Sequence, residues 1–147
     1  MKLALEQAER AYKKGEVPVG AILVAADGKV ISSTYNQKEE SKNPIGHAEL
    51  LALQAASGSF DSWRRLGCTL YVTLEPCTMC LGGLVQARVS RLVFGAYDKK
   101  AGALSLGYFL QTDSRLNHSF EVVGGVLHYE CSKMLSQFFK ERRSSHD

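Results

Sequence analysis

Apolar positions open the chain at helical spacing. Leu3, Leu5, Ala8, Ala11 and Tyr12 recur on one face, which predicts an amphipathic helix over residues 2–14 ended by Gly15. The period then changes. "VPVGAILVAADGKVISSTYN" is a pair of β-branched runs around Asp27-Gly28, a hairpin pattern. Polar "QKEESKNP" connects it to "HAELLALQAAS", an Ala- and Leu-rich helix that stops at Gly58. "TLYVTLEP" reads as a continuous apolar strand, and the helix after it carries Cys77 and Cys80 and runs to about Arg88. "VSRLVFGAY" predicts a further strand, residues 97–118 a loop with a helical turn, "FEVVGGVL" a last strand, and "ECSKMLSQFFKERR" a closing helix. Helices alternating with buried strands predict an α/β fold, one sheet between two helical layers. No repeat or low-complexity linker interrupts the pattern, so residues 1–147 are expected to form one domain.

Composition narrows this little. At 147 residues the chain is long enough to bury a real core. Its 45% apolar and 22% charged residues argue against disorder. No apolar run reaches the roughly 20 residues of a membrane span, and the charged N-terminus lacks the apolar core of a signal peptide. A cytoplasmic location is therefore the expectation, and in that setting a Cys-x-x-Cys points to metal or catalysis before disulfides. A net charge of +3 does not by itself mark a nucleic-acid binder. The tail "FFKERR" does gather Lys140, Arg142 and Arg143 beside two aromatics, although basic residues also suit a solvated helix end.

The chemistry lies in two short stretches. Cys77 and Cys80, three apart at a helix start, lie about 60° from each other around the helix and can meet one ion. On their own they equally fit a thiol redox site, or a structural zinc completed by Cys68 or Cys131. A catalytic zinc needs three protein ligands and an open position, and His47, opening the other Ala/Leu helix, supplies the third. Two helix N-termini facing one site favour thiolates and a neutral imidazole. Glu49, in the first turn after His47, is placed to move a proton between water and a leaving group. Taken singly, His47 is also a capping or core histidine and Glu49 a favourable first-turn acid. Together, His-Ala-Glu followed about 30 residues later by Pro-Cys-x-x-Cys is the signature of the zinc nucleobase deaminases.

With "EVPVGAILV", Tyr35-Asn36, "HAE" at 47–49, "TLYVTLEPCTMC", "RLVFGAYDKKAGA", "LNH" at 116–118 and "FFKERR", the sequence resembles the bacterial tRNA-specific adenosine deaminases of the cytidine-deaminase-like superfamily. That resemblance implies a three-layer α/β/α sandwich with a mixed five-stranded sheet and a homodimer with one Zn²⁺ per subunit. It also implies an RNA site across the subunit boundary that takes a tRNA anticodon loop and converts its wobble adenosine to inosine. By motif, it assigns His47, Cys77 and Cys80 to zinc and Glu49 to proton transfer. It assigns Asn36 to the flipped base, with Val19 in the pocket wall, and Asp98, Lys100, Asn117, Phe139 and Arg143 to the anticodon loop. Asn36 also reads as a strand-ending turn residue, Asn117 as a loop cap, and Phe138 and Phe139 as core. The segment Leu104-Ser105-Leu106-Gly107 departs from the family's run of small residues before Ser-Leu, and Gly46 stands where alanine is usual. Two other functions use the same residues: deamination of a free base or nucleoside such as guanine or cytidine, and a non-catalytic, zinc-stabilised RNA-binding module.

Overall fold

Small residues decide how the first helix meets the sheet. In the computed structural model, which describes residues 1–145, α1 (Lys2–Lys13) buries Ala4, Ala8 and Ala11 completely. Leu3, expected on the apolar face, is 48% exposed. The contact face is alanine because the helix lies almost on the backbone of the first strand, β1 (Gly20–Val24): a Cβ on Gly20 would meet the carbonyl of Ala4 and the amide of Ala8. A larger residue on either side would lift the helix away.

The hairpin forms around Asp27-Gly28, pairing β1 antiparallel with β2 (Val30–Tyr35). β1 also pairs antiparallel with β3 (Thr69–Leu74), with Ala21 opposite Val72. β3 runs parallel to β4 (Arg91–Ala96), and β4 parallel to β5 (Glu121–Val123). The order β2-β1-β3-β4-β5 makes one mixed five-stranded sheet. The helices α2 (Ala48–Ala55) and α3 (Thr78–Ala87) cover one face, over a cluster that includes Leu23, Leu70, Val72, Leu81, Leu84 and Leu92. Leu81 and Leu84 are wholly buried, each contributing about 1.5–3 kcal/mol. They thereby fix α3, and with it both cysteines, against the sheet. On the other face α1 is joined by α4 (His128–Ser145), whose Cys131 packs against Gly95. The two helices are tied together where the Tyr12 ring meets that of Phe138 edge-on at 5.5 Å and the Tyr12 hydroxyl donates to Glu141. The α/β/α sandwich of the sequence reading is the fold.

One boundary moves. The apolar run 120–127 predicts a strand through Leu127, yet β5 ends at Val123. Gly124 sits against the Phe94 and Tyr97 rings, Gly125 takes φ +85° and Leu127 φ 55°, so the chain turns out of the sheet. The closing helix then begins at His128, ahead of the expected Glu130. Within residues 97–118 the helical turn is Leu110–Thr112.

Candidate metal centre and pocket

β3 delivers Cys77 to the N-terminus of α3, and the polar connection after β2 delivers His47 to the N-terminus of α2. Both residues are N-caps with extended backbone, φ −79°/ψ 144° for His47 and φ −71°/ψ 174° for Cys77. Neither side chain caps its own helix. The capping alternative for His47 therefore does not hold; its ring turns to the cysteines. Nδ1 of His47 lies 3.6 Å from Sγ of Cys77 and 3.4 Å from Sγ of Cys80. Tetrahedral zinc with ordinary Zn–N and Zn–S bonds separates such atoms by about 3.6 Å, so the three donors fit that ion.

The electrostatics agree with the donor set. Cys77 is brought down to about 4, first by the Cys80 thiol that donates to it and then by His47, against the opposing effect of burial. Cys80 is pushed up because it donates that bond and is buried, and His47 is raised by its hydrogen bond with Cys77. Zinc takes both cysteines as thiolates and the imidazole neutral, so its binding releases protons from this set. Among the described residues this is the one group of three or more His, Cys, Asp or Glu side chains arranged to hold a metal. Cys68 and Cys131 are buried free thiols elsewhere, and none of the four cysteines is in a disulfide. A fourth cysteine ligand is thus absent, and three ligands leave the open position of a catalytic site.

Glu49, 4% exposed in the first turn of α2, faces the same cavity. Burial raises its carboxyl above the usual carboxylate range. The cavity holds about 320 Å³, walled by Val17, Val19 and Leu74, with Asn36, Lys38, Glu49, Glu75 and Asp98 as its polar groups. Asn36 is buried and held in place: its side-chain amide donates to the Val17 carbonyl at 3.2 Å and its backbone N–H to that of Val19 at 2.9 Å. Its Oδ1 accepts from the Lys38 N–H at 3.4 Å, so it closes the turn after β2, as the alternative reading expects, and lines the cavity as well. A larger, shallower depression of about 790 Å³ lies beyond the β1–β2 turn, where the charged lining groups, Arg91 and Glu121, pair with each other. It contains no acid–base or ligand set.

The remaining sequence assignments scatter. Asp98 lines the cavity, and its carboxylate accepts from the backbone N–H groups of Lys100 and Ala101, both at 3.1 Å, leaving the Lys100 side chain exposed on the same loop. Asn117 is exposed and outside the cavity lining; its neighbour His118 reaches the Val89 carbonyl, beyond the far end of α3. Phe139 and Arg143 are exposed on the last turns of α4, while Phe138 is core. Sequence reasoning missed three buried or pocket-lining groups. Lys38 lines the cavity, and buried Glu16 holds that loop by accepting from the N–H groups of Glu39 at 3.0 Å and Glu40 at 2.6 Å. Glu75, inside "TLEPC", lines it too. An acid wedged between an apolar strand and Pro-Cys was the available signal for Glu75; nothing local marks Lys38 or Glu16.

Comparison with known proteins agrees with this geometry. Residues 1–96 match the family model of the cytidine and deoxycytidylate deaminase zinc-binding region. A tRNA-specific adenosine deaminase of Bacillus subtilis is 48% identical over 143 residues, covering 97% of this chain and 88% of the relative. One from Haemophilus influenzae is 46% identical, covering 97% and 83%. A solved structure from work on A-to-I editing by tRNA:A34 deaminases superposes with a TM-score of 0.86 at 38% identity, over 92% of this chain and 97% of that one.

Proposed function

Since this chain belongs to the zinc-dependent deaminase family, alongside the tRNA-specific adenosine deaminases, we propose that it deaminates the wobble adenosine of tRNA anticodons to inosine. The observation that carries this is the His47–Cys77–Cys80 triad beside a cavity of about 320 Å³ lined by buried Glu49. Zinc held by His47, Cys77 and Cys80 supplies, when bound, the Lewis acidity that makes water nucleophilic at neutral pH. Glu49 does the proton work. Its carboxylate takes a proton from the water that adds at C6 and gives it to N1 of the ring, then takes the proton left on the new hydroxyl and gives it to the departing amino group. The C6–N bond breaks, and ammonia leaves. A carboxyl raised by burial serves both as base and as acid in such a cycle.

Asn36, fixed through Val17, Val19 and Lys38, offers the free positions of its side-chain amide to the base edge. Val19, Val17 and Leu74 receive the apolar faces and exclude water. The base must leave its stack to enter, which costs less in a single-stranded loop than in a duplex. Asp98 and Lys100 flank the mouth from one loop. Phe139 and Arg143 offer stacking and a cation to neighbouring nucleotides. Asn117 lies outside the lining of its own cavity, and in this reading its RNA contact is made beside the site of a second copy. We assign a homodimer on that ground and on the exposed Leu106, Tyr108 and Phe109, an apolar set that association would cover. No helix among the described residues is long and apolar enough to cross a membrane, and a cytoplasmic tRNA-editing role accords with that.

The discriminating experiment offers the zinc-loaded protein a tRNA transcript with adenosine at the wobble position, and separately free adenosine, guanine and cytidine. Turnover of the tRNA alone is expected. Turnover of a free base with none of the tRNA contradicts the substrate assignment.

A further inference from the structure

The segment that departs from the family pattern, Leu104 to Gly107, has a structural counterpart in Glu75. This carboxylate is 2% exposed and stands two residues before Cys77. Oε1 accepts from the Asp98 backbone N–H at 3.1 Å and from the Ser105 hydroxyl at 2.6 Å, and Oε2 accepts from the Ser105 backbone N–H at 2.8 Å. Gly102 lies flat against the carboxylate, where a Cβ would collide with it. The backbone is tied as well: Ala103 of the same loop donates to the Pro76 carbonyl at 2.9 Å, and the Glu75 N–H donates to that of Ala96, at the end of β4, at 2.8 Å. The loop from Asp98 to Ser105 thus closes around one buried side chain.

We propose that Glu75 is a positioning residue for the deamination, tying the Asp98–Ser105 loop down as the cavity wall that holds RNA beside the target base. The inference rests on the tRNA reading above. Asp98 and Ala101, both on this loop, line the cavity, and Lys100 projects from it, so its position sets where the flanking nucleotide rests. Ser105 supplies two of the three donors, which gives the unusual segment its purpose in this chain. The arrangement requires a carboxylate. Each oxygen faces a backbone N–H that cannot turn away, so a glutamine in either orientation sets its own NH₂ against one of them.

The test compares wild type with Glu75→Gln, Gly102→Ala and Ser105→Ala, all zinc-loaded. Glu75→Gln removes an acceptor and Gly102→Ala inserts a methyl against the same group from the opposite side. For both, KM for tRNA is expected to rise about tenfold, comparable to the loss of a stacked base, with kcat held within about threefold and zinc content unchanged. Ser105→Ala, which keeps the backbone donor, is expected to show a smaller rise of the same kind. Amide exchange followed by NMR is the readout independent of activity: the Asp98 and Ser105 amides are expected to lose protection in Glu75→Gln while the α2 and α3 amides keep theirs. Unchanged protection at both amides, or an unchanged KM in Glu75→Gln and Gly102→Ala alike, overturns the proposal. So does loss of zinc in step with activity, which would make Glu75 a support of the metal loop instead. If Glu75→Gln does not fold, the other two variants decide. Failure of wild type to act on tRNA would overturn the functional reading, and the exchange comparison would still decide whether Glu75 holds the loop.

Discussion

Phe138 and Phe139 are neighbours of identical chemistry at which stability and RNA binding are expected to separate. Phe138 is 4% exposed; it meets Tyr12 of α1 edge-on at 5.5 Å and carries Arg142 over its other side at 5.2 Å. Phe139 is 42% exposed and touches Phe138 from outside, ring centroids 5.4 Å apart. Truncating a buried phenylalanine removes its transfer free energy and leaves a cavity, together about 3–5 kcal/mol. At this chain length that lowers the melting temperature by about 2–4 °C per kcal/mol, so Phe138→Ala is expected to fall by about 6–20 °C. Phe139→Ala forfeits only part of an exposed ring, and about 1 kcal/mol or less is expected. On RNA the order reverses. A stacked base is worth about 1–3 kcal/mol, so Phe139→Ala is expected to weaken tRNA affinity by about 5- to 150-fold. Differential scanning calorimetry and a filter-binding titration on the same preparations read both quantities. Equal melting temperatures for the two variants would refute the assignment of core and surface. Undiminished tRNA affinity in Phe139→Ala would remove this residue from the RNA site.

Chelation of zinc is expected to abolish turnover while the far-UV circular dichroism persists, because the apolar cluster beneath α2 and α3 includes none of the three donors; zinc addition restores activity, and loss of helical signal on chelation would contradict this. In the zinc-free protein at pH 7, iodoacetamide is expected to alkylate Cys77 first, since its thiol is held at about 4, and bound zinc is expected to protect it. Mass spectrometry that finds Cys131 labelled first would be incompatible with the geometry. Burial pushes Cys131 up to about 11 from 9.0, so the folded state favours the protonated thiol. Its contribution to stability is complete below pH 9 and is lost as pH rises through 11. The melting temperature of wild type should therefore fall more steeply than that of Cys131→Ala above pH 9, and parallel curves there would argue against it.

The metal centre was legible in the sequence because each part is a short motif at a helix start, a His-Ala-Glu and a Pro-Cys-x-x-Cys, whose combination is specific where neither is alone. The hairpin at Asp27-Gly28 and the sheet-between-helices pattern were legible from local pattern. What escaped depends on partners far along the chain. Leu3 and Ala4 both fit the apolar stripe of α1, and only Gly20, packed beneath it, selects the alanines. "FEVVGGVL" has strand composition throughout, but the Phe94 and Tyr97 rings beside Gly124 end β5 early. The helical period could not separate Phe138 from Phe139; Tyr12, more than a hundred residues away in sequence, does. Glu75 takes its meaning from Asp98, Gly102 and Ser105, which no spacing rule connects to it.

The most direct test of the account is inosine formation at the wobble position by wild type and Glu49→Ala, side by side and with zinc content matched. Glu49 lines the cavity beside His47 and Cys77 but stands outside the three-donor group, and the proposed mechanism gives it the proton transfer. The variant is therefore expected to keep its zinc and its tRNA affinity and to lose about 10²- to 10⁴-fold in rate. Wild-type turnover by zinc-loaded Glu49→Ala, or no inosine from zinc-loaded wild type, would contradict it.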